Sequence, residues 1–183
     1  MTNRMVRRRI GIFLLAVALL ICDFFLLGGE IGVSKSHLPE DLRASQNIPN
    51  DWLVTGSVSD TAAIYLFYPP DKSCYGYTLY VNRPGLSFGY IFRGSTTVAG
   101  VHGTQAELPT VVQALALDGS EQCAYFSLNF AQVQSAEIDN GQTVKTYLLD
   151  SSFPFTILLP QNNGEVTFYD KNGAPVEIQP AQL

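Results

Sequence analysis

The 183 residues suffice for one domain and a short appendage, and only 15% are charged, well under the roughly one quarter usual in globular chains. Arg4, Arg7, Arg8 and Arg9 precede the first acid, Asp23, whereas from Glu30 onward seven Lys and Arg stand against 15 Asp and Glu, a net of −8. Scattered bases in an acidic body exclude nucleic acid as a partner, because neutralising phosphates takes clustered Lys and Arg.

Residues 1–9 form a basic arm, and residues 10–27 read IGIFLLAVALLICDFFLL. As a helix this run rises about 27 Å, close to the hydrocarbon thickness of a bilayer. A lone segment in lipid satisfies its backbone only as a helix, so residues 10–28 are expected to be a transmembrane signal-anchor. The Arg7–Arg8–Arg9 cluster on the leading flank sets the N-terminus in the cytoplasm and the remainder outside it. Two processing patterns compete with a retained anchor. Ala16-Val17-Ala18 resembles a signal-peptidase site, and Leu19-Leu20-Ile21-Cys22 a lipobox with the unusual Ile21 before its Cys. Asp23, one turn inside the outer boundary, is a candidate contact for another membrane helix.

Residues 29–51 are polar, with Pro39 and Pro49, and are expected to be a juxtamembrane stalk with one or two helical turns after Pro39. His37 in this stretch has no metal-like neighbour. From residue 52 to the end the pattern is short apolar runs between turn residues. Strands are expected at 62–68, 74–82, 86–93, 122–129, 133–138, 143–149, 155–159, 165–169 and 176–179, with 109–117 a further strand. Arg83-Pro84-Gly85-Leu86 suits a type II turn, and Asn140-Gly141 is a strong hairpin signal. The recurrence points to a mostly β fold, an antiparallel β-sandwich in the style of Ig-like or transthyretin-like domains.

Cys74 and Cys123 are the two thiols beyond the apolar run, on the less apolar faces of their strands; bridged and free states are both compatible with the sequence. A metal site at them lacks a CxxC spacing or a nearby His. No cofactor-binding motif occurs. Gly85-Leu86-Ser87-Phe88-Gly89 matches the GxSxG pattern, but that chemistry needs a strand, a strained turn and a helix. Here a Pro-Gly turn precedes Ser87 and a β-type run follows, and His102 is the one plausible base in the β region. The acids fall mainly at turns, where they cap local backbone. Tyr75, Tyr77, Tyr80 and Tyr90 are the candidate ligand-binding set, a stacking platform for a sugar or a peptide. The expected function is that of a non-catalytic interaction module at a cell envelope, tethered to the membrane and facing a protein or cell-wall partner. Glycan or peptide binding through the tyrosines is the alternative, and hydrolysis through Ser87 and His102 a third reading.

Overall fold

A computed structural model of the chain describes residues 2–27, 32–82, 89–98, 110–117 and 121–183. The first element is helix α1 (Thr2–Leu27). Its side chains are described over residues 10–22, and there Ile10, Ile12, Phe13, Leu14, Leu15, Leu19, Leu20 and Ile21 are all more than half exposed. Those residues rise about 20 Å, and among the described residues no helix is long and apolar enough to cross a membrane.

The remainder is mostly β, built from three four-stranded sheets. Sheet I is a meander of β1 (Leu53–Val58), β2 (Ala62–Tyr68), β3 (Tyr75–Val81) and β4 (Ile91–Val98), all antiparallel. Sheet II holds β5 (Val112–Ala116), β6 (Gln122–Ser127), β9 (Phe155–Pro160) and β12 (Ile178–Pro180) in the order β12-β5-β6-β9. Sheet III holds β7 (Val133–Asp139), β8 (Val144–Leu148), β10 (Glu165–Asp170) and β11 (Pro175–Val176) in the order β11-β10-β7-β8.

Side-chain alternation explains the layering. On β2, Ala62, Ile64, Leu66 and Tyr68 join Tyr77, Leu79 and Val81 of β3 in a core shared with Leu115, Ala124 and Phe126 of sheet II. The opposite face of sheet II, with Val112, Cys123, Tyr125, Phe155 and Leu159, packs on Val133, Ala136, Ile138 and Phe168 of sheet III. Sheet II is therefore covered on both sides, and the sandwich has three sheets where the sequence pattern suggested two. The reason lies in β6: Ala124 and Phe126 are an obvious apolar face, but Cys123 and Tyr125 on the other face are also buried.

Sheet I is covered on its second face as well. Residues read as a stalk supply helix α2 (Leu38–Ser45), whose Leu38 and Leu42 are fully buried with Ile48 against Ala63, Tyr65, Phe67 and Tyr80. Pro39 at the first turn and Glu40 and Asp41 beside the positive helix end favour its start. Val33 exchanges both backbone hydrogen bonds with Tyr90 at 2.8 Å, and Asp41 accepts from the Tyr80 hydroxyl at 2.8 Å. These residues are the first layer of the body and not a spacer.

Two glycines let sheet I pack its own rings. Gly56 pairs with Tyr65 and Gly76 with Phe67 across the strands, and a Cβ at either would collide with the partner's ring. The seams between sheets I and II are polar. Ser57 Oγ donates to the Thr156 carbonyl at 2.6 Å and Ser59 Oγ to Gln122 Oε1 at 2.7 Å, while the C-terminal tail accepts from Tyr77 and Thr96 through the Gln182 carbonyl.

Two strand expectations change. The final run, read as one antiparallel strand at 176–179, divides at Glu177, with β11 staying in sheet III and β12 joining β5 in parallel, Ile178 beside Val112. Apolar pattern carries no information on strand direction. Strand β4 lies further along than expected, taking in Ser95, Thr96, Thr97 and Val98; residues 83–88, with the expected Pro-Gly turn, lie outside the described residues.

Candidate interaction edge

The four tyrosines do not form one exposed platform. Tyr77 is 3% exposed, Tyr80 0% and Tyr90 4%, with Tyr77 in the core between sheets I and II and Tyr80 and Tyr90 on the α2 side. Strand alternation causes this split, since positions 77 and 80 necessarily point to opposite faces of β3. Tyr75 is half-buried against the first of these cores. Burial raises the hydroxyl pKa of Tyr75 and, together with the bond to Asp41, that of Tyr80. Their contribution is packing: Tyr77 lies 4.4 Å from Phe126 and Tyr80 meets Tyr65 edge-on.

All described thiols are free. Cys123, on the less apolar face of its strand, is nonetheless 7% exposed and faces sheet III, on the side of sheet II turned away from sheet I, where Cys74 adjoins β3. Burial pushes the Cys123 thiol up, which keeps it protonated and unreactive. His37 is exposed and its Nδ1 lies 2.7 Å from Ser34 Oγ. Ser87, His102 and the side chain of Asp23 lie outside the described residues. Among the described residues no three of His, Cys, Asp and Glu converge on a metal-sized site.

Among the described residues the terminal strands that carry exposed apolar side chains include β4 of sheet I with Phe92 and Val98 and β8 of sheet III with Val144 and Leu148, and those of β8 are the more exposed. Among the described residues strand β8 ends the sheet order and pairs with β7 alone. Its hairpin follows from local chemistry: Asn140 Oδ1 accepts from the backbone N–H groups of Gln142 and Thr143, and Gly141 takes φ +79°, a left-handed value that glycine adopts freely. Asn140 N donates to the Thr143 carbonyl and Leu149 N to the Gln134 carbonyl at 2.8 Å. Residues 143, 145, 147 and 149 therefore turn their backbone groups toward β7, and Val144, Thr146 and Leu148 turn theirs outward.

The side chains of these three residues share the outer face of the sheet, where Thr146 Oγ1 donates to Glu137 Oε1 at 3.4 Å. Val144 is 57% exposed and Leu148 82%, with Phe153 just beyond at 63%. On the inner face Lys145 Nζ stands 4.9 Å from the centre of the Tyr147 ring. Beside it a shallow groove of about 220 Å³ is lined by Asn140, Thr143, Lys145, Tyr147 and Asn163, smaller than ordinary small-molecule sites. An edge strand with unpaired backbone groups and apolar side chains in water is chemically suited to receiving another strand.

Sequence reasoning located β8 but not this property. The available signal was that TVKTYLL carries apolar residues on both faces, so that a strand at a sheet margin must leave one apolar face in water. No protein-family model, curated protein or solved structure matches the chain.

Proposed function

We propose that the chain is a single-pass membrane-tethered protein of a cell envelope. In this reading α1 is the anchor, the N-terminus is cytoplasmic, and the β body lies outside as a non-catalytic interaction module working through β8. The observation that carries the module reading is the uncovered edge, with Leu148 at 82% exposure. The tether reading is supported by a helix that is apolar on all sides and by the Arg7–Arg8–Arg9 flank. An apolar helix without a polar face needs a protein interior or lipid around it, and Gly11 has nothing within 4 Å of where a Cβ would stand. The polar strip that would let such a helix lie flat on a membrane is missing from residues 10–22.

The docked position of α2 gives the tether a short reach. Only residues 28–32 separate the end of α1 from Val33, the first residue paired to the body. Five residues span at most about 18 Å, so the body is held against the bilayer and not lifted from it.

Two measurements test the proposal. Alkaline phosphatase fused to the C-terminus is active when the body is outside the cytoplasm; an inactive fusion rejects the topology. For the module, the double variant Val144→Asp, Leu148→Asp changes two exposed side chains, so the denaturation midpoint stays within about 0.5 kcal/mol of the parent. In mild detergent the variant migrates as a lone chain where the parent migrates in a complex. Equal migration of the two rejects the edge as a docking surface.

A further inference from the structure

We infer that the partner of β8 is the β8 edge of a second copy of this chain, joined antiparallel across a two-fold axis through Thr146 to make one eight-stranded sheet from two copies of sheet III. The inference rests on the interaction-edge reading and adds the identity of the partner.

Its basis is self-complementarity in one register. The outward backbone groups belong to residues 144, 146 and 148, so only pairings that oppose even-numbered residues form hydrogen bonds. The register centred on Thr146 uses all three: Thr146 meets its own copy, and Val144 meets Leu148 of the second copy. On the outer face this brings together two valines and two leucines that are otherwise exposed at 57% and 82%. On the inner face the same register sets Lys145 against Tyr147 of the second copy, and Lys145 already lies over its own Tyr147 ring, so the ammonium finds a second aromatic partner.

The neighbouring registers are worse for stated reasons. Centring the pair on Lys145 opposes two lysines and leaves Leu148 unmatched. Centring it on Tyr147 leaves Val144 unmatched. A lysine on an edge strand guards against indiscriminate pairing, and here it rejects one register while accepting another. A common membrane tether, as proposed for α1, raises the effective concentration at which two such edges meet.

Thr146→Cys in the full-length chain, with Cys22→Ser and Cys74→Ser, tests the pairing. Residues opposed on the axis have Cα atoms about 5.5 Å apart, within the range a disulfide spans. Glu137, opposite Thr146 on β7, shares the outer face but lies three strand spacings from its own copy, about 14 Å. Mild oxidation of the membrane-embedded chain is expected to yield a bridged dimer for T146C and none for E137C. T146K opposes two ammonium groups on the axis and is expected to weaken self-association in detergent by up to about fivefold, while T146S leaves it unchanged. Bridging at both positions or at neither, or a T146K dimer as tight as the parent, overturns the inference. If T146C fails to bridge while the Val144→Asp, Leu148→Asp variant still releases a different protein, self-pairing falls and the interaction edge stands. If neither effect is seen, both fall.

Discussion

Asn129 shows how a single side chain can set the path of two loops. It is 4% exposed with φ +61°, a left-handed backbone that Asn tolerates better than most residues. Its Oδ1 accepts from Val133 N at 2.7 Å, and its Nδ2 donates to the carbonyls of Asp150 and Phe153 at 3.1 and 3.0 Å. The loop leaving β6 is thereby fixed to the loop entering β9. Asn129→Ala leaves the buried Val133 N–H unpaired and releases two part-buried carbonyls, and is expected to lower unfolding stability by about 2 kcal/mol, read from urea denaturation. Asn129→Asp keeps the acceptor but aims a charge at the carbonyls, and is expected to be worse still. Tyr80→Phe removes the hydroxyl's bonds to Asp41 and Ser45 and should cost about 1–2 kcal/mol. The tyrosines also set an alkaline limit. Tyr65, Tyr80 and Tyr125 are all raised above the ordinary 10.0, burial being the largest cause in each. The folded chain then holds protons that the unfolded chain releases, so stability is complete below pH 10 and declines as pH rises through the raised values. Urea midpoints on either side of pH 10, with tyrosinate absorbance followed alongside, check the sign; a midpoint that rises with pH contradicts it.

At the scale of elements, α2 is the part that sequence reasoning misplaced with the largest consequence. Leu42→Ala is expected to destabilise the body by about 3 kcal/mol, as for other fully buried leucines. A chain starting at residue 32 should fold cooperatively, whereas one starting at residue 52 exposes Ala63, Tyr65, Phe67 and Tyr80 to water and aggregates. If the shorter chain melts like the longer one, α2 is dispensable and the layer assignment is wrong. The helix itself was legible from Pro39 and the acids after it, but its docking was not, because three apolar side chains among polar ones look like a surface turn. Strand β2 and the Asn-Gly hairpin were legible to the residue or nearly so, since apolar runs ending at turn residues mark both. Strand β1, LVTGSV, was not identified. Gly56 weakens its strand signal, and the ring of Tyr65 that makes the glycine useful is nine residues away. The edge character of β8 depends on strand order, and strand order is set by long-range pairing that no local pattern records.

Across the whole molecule, the layers run α2, sheet I, sheet II, sheet III, and the succession decides where an interaction can occur. Sheet II is enclosed, sheet I has one face in the core and the other under α2, and the seams between sheets I and II are closed by Ser57, Thr156, Gln122 and the C-terminal tail. Sheet III has its inner face packed and, among the described residues, its β8 margin open. In the tethered arrangement proposed above, the body would present that margin to whatever shares the bilayer surface. In the proposed reading this margin is occupied in the cell. A photo-crosslinking amino acid placed at Leu148 of the full-length chain, with the turn residues Asp71 and Asn172 as controls, tests it in intact cells. The account predicts a discrete adduct from position 148 and none from 71 or 172. No adduct from 148, or the same adducts from all three positions, would contradict it.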